Sequence, residues 1–172
     1  MSAQSSDLDA LEMPEKFLEY ATAYLESAIV LCDQLIKNPS DVTYARGNAC
    51  MFNARLAVEL FLKASLLKKD PNADLHHVIE RLRHEYARNY TEPRFHWVVP
   101  FTAQVVGGEA ENNGQIVKEH LKKNPPDQSL RYPMNKNREP WEGSGSFDAA
   151  SFMRLLQTIK HDMGRLRPEI FE

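Results

Sequence analysis

An arginine and a histidine near the end of the chain have a spacing that suits phosphate chemistry. Arg154 and His161 are seven residues apart, so two helical turns would bring them to the same side of a helix. A histidine can remove a 2′-hydroxyl proton or protonate a leaving oxygen, while an arginine stabilises the phosphate charge. The same pattern also fits the solvated polar face of an amphipathic helix. The sequence leaves both interpretations open.

A second group of polar residues lies within the most apolar stretch of the chain, residues 48–69. Asn48, Arg55, Glu59 and Lys63 recur at helical spacing, so they would form one polar stripe on a helix that is otherwise apolar. Two i,i+4 ion pairs on a solvated strip would explain the pattern. Charged groups in apolar surroundings are usually paired, however, so a ligand or a partner is the other interpretation.

A third candidate is the segment Gln-Ser-Leu-Arg-Tyr-Pro at residues 128–133, which combines an apolar residue, a cation and an aromatic ring. Arg131 and Tyr132 could bind a phosphate or a base. Alternatively, Tyr132 packs across the fold and Arg131 pairs with Glu59. In that case the segment is a structural strap.

Other kinds of site have no support in the sequence. The six histidines show no metal-ligand spacing, and the seven glycines form no phosphate-binding loop, so no metal and no cofactor is predicted. Cys32 and Cys50 fall within apolar helical patterns, which predicts buried free thiols in a reducing compartment. A net charge of -3 gives no global attraction to nucleic acid, so binding would need a local basic patch.

Length and composition predict one soluble globular domain spanning all 172 residues, with 42% hydrophobic and 26% charged residues. No apolar run approaches the ~20 residues of a membrane span. The first 16 residues lack the basic start and apolar centre of a signal peptide, which predicts a cytoplasmic protein.

The apolar periodicity predicts an all-α antiparallel bundle of four long helices and a short one. Residues 1–12 are expected to be disordered, and residues 124–145, rich in Pro and Gly, to form a long loop before the last helix. Ser40 or Asp41 would cap the second helix, Asp74 the third and Ser146 the last. Gly164 and Pro168 would end the last helix. The expected helices span about 14–36, 41–69, 74–90, 109–123 and 146–168.

Three segments together resemble the HEPN domain family. The run NARLAVELFLKASLL is similar to the signature helix of that family, in which a Glu is followed four residues later by a Lys, here Glu59 and Lys63. HHVIERL is similar to the stretch that follows in the family, with matches at His77, Ile79 and Leu82. LRYP, residues 130–133, is similar to a later segment, so the resemblance covers about residues 21–133.

The resemblance implies an antiparallel helical bundle that forms a homodimer. Many family members are metal-independent ribonucleases of toxin–antitoxin, CRISPR and phage-defence systems. Their catalytic motif is an Arg, usually followed by a polar residue, with a His four to six residues after the Arg. Here Arg154 and His161 are separated by six residues, but Leu155 replaces the polar neighbour. Other relatives lack the motif and are thought to bind nucleotides or proteins, and this chain resembles those better.

These observations predict a HEPN-like domain that binds a nucleotide, RNA or a partner protein without catalysis, in a defence-related or regulatory system. Its site would be a groove beside the second helix, formed by Arg55, Glu59, Lys63, Arg131 and Tyr132. One alternative is an endoribonuclease that uses Arg154 and His161 across a dimer cleft. A second alternative is a structural helical adaptor, which requires no site.

Overall fold

The computed structural model describes residues 6–102, 126–141 and 147–172, and within these ranges the chain is all-α, as predicted. Its long helices are α1 (Met13–Lys37), α2 (Tyr44–Lys69), α3 (Ile79–Asn89) and α4 (Ala149–Phe171). The short helix predicted for residues 109–123 lies outside the described residues. Single helical turns occur at Ser6–Asp9, Pro39–Asp41, Pro93–Phe95 and Pro126–Ser129.

Helix α2 is the centre of the core, as its apolar sequence predicts. It packs against α1, α3 and α4, which accounts for its lack of a distinct exposed face. Phe61, at 0% exposure, meets the Trp97 ring edge-on at 5.5 Å and the Phe171 ring at 6.0 Å between centroids. The segment after α3 therefore contributes to the core without being a regular helix, because its side chains Phe95, Trp97 and Val99 are buried.

The neighbours along α1 show that α1 and α2 run in opposite directions. The Cys50 thiol, early in α2, donates to the carbonyl of Ala28, late in α1, at 3.2 Å. Phe17, early in α1, lines a groove together with Leu60, late in α2. Short connections between helices favour such antiparallel neighbours.

Both cysteines are free and buried, as predicted. The Cys32 thiol lies 3.2 Å from the carbonyl of Ala149, at the start of α4, which links α1 to α4. Burial raises the pKa of Cys50 to about 12, and burial also raises the pKa of Cys32. Both sulfurs therefore stay protonated and act as small apolar groups in the core.

Two helices begin later than predicted. Thr43, rather than Ser40 or Asp41, caps α2 by accepting the backbone N–H of Arg46, because residues 39–41 form a separate 3₁₀ turn. Helix α3 begins at Ile79 instead of Asp74, because Val78 is extended and the chain before it turns back towards α2.

Helix α4 begins later than predicted and also ends later than predicted. Asp148 caps it by accepting the Ser151 N–H at 2.7 Å, whereas the predicted cap, Ser146, lies outside the described residues. Hydrogen bonds from Ser151 lower the pKa of Asp148. At the other end, α4 passes through Gly164 and Pro168 and ends at Phe171. Pro168 has no backbone N–H, so the carbonyl of Gly164, four residues earlier, receives no helical hydrogen bond from position 168.

The glycines of α2 and α4 predict opposite effects of the same substitution. A Cβ at Gly47 would lie 2.6 Å from Cγ of Phe147, whereas a Cβ at Gly164 would meet no described residue within 4 Å. We expect Gly164→Ala to raise the free energy of unfolding by about 1 kcal/mol through helix propensity. Gly47→Ala should lower it by about 1–3 kcal/mol through overpacking. Urea denaturation measures both, and stabilisation by Gly47→Ala would contradict the close approach of Phe147.

Candidate functional site

The polar stripe of α2 is buried, which answers the question raised by the sequence. Arg55 is 8% exposed, and Glu59 and Lys63 are each 4% exposed. Asn48, at the start of the stripe, is 8% exposed, and its side-chain oxygen has no hydrogen-bond partner among the described residues. Burying charges in this way is costly unless they are paired. The two predicted i,i+4 ion pairs are present, but they are buried rather than solvated.

Glu59 is the hub of the stripe, because its carboxylate contacts a nitrogen-bearing group on each side. Its Oε1 accepts a hydrogen bond from Nζ of Lys63 at 2.8 Å, and its Oε2 lies 3.6 Å from a guanidinium nitrogen of Arg55. All three residues lie on the same face of one helix, so the α-helical repeat itself sets this geometry.

His77 joins the same carboxylate from outside α2, and it is the residue that sequence reasoning missed as part of the site. Its Nδ1 lies 3.0 Å from Oε1 of Glu59 and 3.4 Å from Nζ of Lys63, yet its side chain is 82% exposed. Its match to the HEPN pattern was the only signal in the sequence. His76, next to it, faces Asp74 and Glu85 instead.

The contacts of His77 define which ring nitrogen faces solvent. A carboxylate accepts hydrogen bonds only, so we assign the N–H to Nδ1, which donates to Glu59. The other nitrogen, Nε2, then lies on the exposed edge of the ring. A buried carboxylate that contacts an exposed imidazole in this way fixes the direction of the ring.

Arg131 and Tyr132 lie beside the start of the same stripe. The guanidinium carbon of Arg131 is 5.6 Å from the centre of the Phe52 ring and 5.8 Å from the centre of the Tyr132 ring. Phe52 precedes Arg55 by about one turn of α2, and a contact of Arg131 with the stripe itself stays a prediction. Glu59 forms ion pairs with Arg55, Lys63 and His77, and the contacts of Arg131 include the Phe52 and Tyr132 rings.

The segment around Tyr132 is held by its own backbone and by Trp141. The indole N–H of Trp141 donates to the carbonyl of Tyr132 at 2.7 Å. The side chain of Tyr132 is nevertheless 56% exposed, so it does not pack across the bundle. The exposed ring of Tyr132 therefore lies next to the Arg131 cation.

Arg154 and His161 are both exposed on α4, separated by two helical turns. That separation is about 10 Å along the helix axis. A guanidinium N–H of Arg154 donates to the hydroxyl of Ser151 at 2.8 Å, one turn earlier and away from His161. The structure places the two residues on one helix, as predicted, but it does not bring their side chains into contact.

Within the residues that the structure describes, no group of three or more His, Cys, Asp or Glu side chains could hold a metal ion. None of the helices in those ranges is long and apolar enough to cross a membrane.

Comparison with protein-family models, with curated proteins and with solved structures found no match for this chain. The HEPN resemblance therefore stays a prediction.

Proposed function

We propose that this chain is a HEPN-like domain that binds single-stranded RNA or a nucleotide, without catalysis, on the surface of α2 beside Arg131 and Tyr132. The observation that carries the proposal is the exposed Arg131 guanidinium, which lies against both the Phe52 and Tyr132 rings. A cytoplasmic setting and, from the sequence resemblance, a defence-related or regulatory system belong to the same proposal.

The chemistry of these groups favours a nucleotide over other ligands. An exposed aromatic ring stacks on a base with little regard to sequence, and a nearby arginine binds the phosphate. The net charge of -3 means that this attraction is local.

A catalytic role for Arg154 and His161 has less geometric support. The two side chains would have to act on one phosphate from positions two helical turns apart. General acid–base catalysis requires hydrogen-bond distances to the reacting group. The non-catalytic interpretation needs no such convergence.

The proposal is tested by fluorescence anisotropy with labelled single-stranded RNA at several salt concentrations. We expect Arg131→Ala to weaken binding at least tenfold and to reduce the slope of log K against log salt by about 0.7, since one phosphate contact is lost. Tyr132→Ala should also weaken binding, whereas Tyr132→Phe should not, because it retains the ring.

Lys136→Ala is the matched control, because Lys136 is an exposed cation in the same segment. If Lys136→Ala and Arg131→Ala weaken binding equally, the attraction is non-specific and the proposed site is wrong. His161→Ala and Arg154→Ala should leave binding unchanged, and cleavage of RNA that depends on either residue would favour the ribonuclease interpretation instead.

We also propose that the domain is a homodimer and that the groove between α1 and α2 forms the contact. Met13 is 56% exposed and Tyr20 is 50% exposed, and both line this one groove, so they form a contiguous apolar patch rather than single exposed side chains. In a two-fold dimer the same patch of each subunit faces its copy, so one groove supplies both sides of the contact. The groove is lined by Met13, Lys16, Phe17, Tyr20, Tyr24, Leu56 and Leu60.

Light scattering at micromolar concentration tests the dimer. We expect a mass of about two chains for the wild type and about one for Tyr20→Glu, because the charge would be buried at the contact. Val30→Glu is the control, since Val30 is 58% exposed on the same helix but does not line the groove. A wild-type monomer would contradict the proposal.

A further inference from the structure

A cavity lies between α1 and α4, and its inner wall belongs to the hydrophobic core. Phe61 of α2 forms part of that wall and is fully buried. Leu18, Leu25 and Met163 also line the cavity and are at most 6% exposed. The outer wall includes exposed residues, among them Gly164. The cavity therefore extends from the core to the surface of the molecule.

The volume of the cavity suits a single aromatic ring. It measures about 180 Å³. For comparison, an engineered cavity of about 150 Å³ in another protein, lined by Leu, Ile and Phe, binds benzene. Because this cavity is open at the surface, a polar substituent on a bound ring can remain in contact with water.

Gly164 leaves the outer part of the cavity unfilled at a cost to stability. A Cβ at this position would meet no described residue within 4 Å, so a larger residue would fit. Glycine inside a helix is less favourable than alanine, and apolar space without side chains is unfavourable as well. Local departures from the most stable sequence are expected at functional sites. The coincidence of both costs at one place supports a binding role for the cavity.

Three charged residues line the mouth of the cavity, and two of them are cations. Lys160 and Arg167 lie about one turn before and one turn after Gly164 on α4, and Glu26 lies on α1. Arg167 is 3.8 Å from Glu19, and both of these side chains are 49% exposed. Such an exposed pair is weak in water. The excess of cations at the mouth therefore favours a ligand with one negative charge.

We infer that this cavity binds a small molecule that carries one aromatic ring and one carboxylate. The ring lies against Phe61 and Met163, since aromatic and thioether side chains both make favourable contacts with a ring. The carboxylate lies at the mouth, beside Lys160 and Arg167. None of the residues proposed to bind RNA lines this cavity, so the inference does not depend on the proposed function.

Phenylacetate is the probe, and NMR of protein labelled with ¹³C at the methionine methyl groups detects it. We expect phenylacetate to shift the Met163 signal in a saturable way. Met134 is the internal control, because it is 46% exposed and does not line the cavity. A Met163→Leu variant identifies the Met163 signal by its loss. An unchanged Met163 signal at millimolar phenylacetate would overturn the inference.

Filling the cavity should abolish binding of phenylacetate. Gly164→Leu on α4 and Thr22→Leu on α1 each add a larger side chain to its wall, because both positions line it. Thr158→Leu is the matched control, since Thr158 is exposed on α4 and does not line the cavity. Thermal unfolding identifies the variants that are folded. Wild-type affinity in either folded Gly164→Leu or folded Thr22→Leu protein would contradict the cavity as the binding site.

Two related molecules separate the contribution of the ring from that of the carboxylate. Phenylacetamide has the same shape without the charge, so we expect it to bind about threefold more weakly, as for the loss of one exposed ion pair. Phenethylamine, a cation, should bind more weakly still. Lys160→Gln should reduce these differences, whereas Lys37→Gln should not, because Lys37 is 70% exposed and lies outside the cavity. Equal affinity for all three molecules would overturn the assignment of a carboxylate.

Discussion

Replacing Glu59 with alanine is expected to lower the free energy of unfolding by about 3–5 kcal/mol, because it leaves buried cations without their shared carboxylate. Arg55 and Lys63 are at most 8% exposed, and both lie within 4 Å of the Glu59 oxygens. Urea denaturation monitored by circular dichroism measures the change. Glu59→Gln should cost less, because the amide oxygen still accepts a hydrogen bond.

The control for Glu59 is an ion pair of the same spacing on the surface. Lys37 and Asp33 also form an i,i+4 pair, at 2.6 Å, but their side chains are 70% and 46% exposed. Asp33→Ala is therefore expected to cost no more than about 0.5 kcal/mol. A loss for Glu59→Ala as small as that for Asp33→Ala would show that water reaches the stripe and that the cluster does not position the site.

The second large effect is expected at Phe61, whose removal should cost about 3–5 kcal/mol. Its ring is fully buried and contacts the rings of Trp97 and Phe171, so Phe61→Ala leaves a cavity where α2 meets α4 and the segment after α3. Urea denaturation again measures the free energy of unfolding. Phe61→Leu should cost less, because it retains most of the volume.

Val98→Ala provides the comparison for Phe61, because Val98 follows Trp97 directly but is 61% exposed. Its expected effect is within about 0.5 kcal/mol of zero. If Phe61→Ala also falls within that range, the packing of Phe61 between α2, α4 and Trp97 is wrong. RNA-binding anisotropy of the folded Phe61→Ala protein would then show whether the proposed binding surface depends on this packing.

The sequence predicts the helical scaffold well, because apolar periodicity over long segments reflects burial directly. The bounds of α1 and the end of α2 were within one residue, since proline, asparagine and lysine residues mark those ends. The errors occur where a tertiary contact competes with a local signal. Asp74 has the chemistry of a helix cap, but α3 begins five residues later, after His77 has reached Glu59.

The site was predictable in its residue types but not in its contacts. Helical spacing brings Arg55, Glu59 and Lys63 together within one element, so sequence suffices for that part. Their burial depends on how α1, α3 and the intervening segments cover α2, which no local pattern encodes. The contacts of Arg131 with Phe52 and of His77 with Glu59 cross 79 and 18 residues of chain, a separation at which spacing carries no geometric information.

The two tryptophans lie in different parts of the molecule, so their fluorescence can report on two different events. Trp97 is 8% exposed among the rings of Phe61 and Tyr86, so its fluorescence reports on the integrity of the core. Trp141 is bonded to the backbone of Tyr132, so its fluorescence reports on the surface proposed to hold RNA. In a Trp97→Phe variant the remaining Trp141 fluorescence would report ligand binding. In a Trp141→Phe variant the remaining Trp97 fluorescence would report unfolding, and neither measurement needs an attached label.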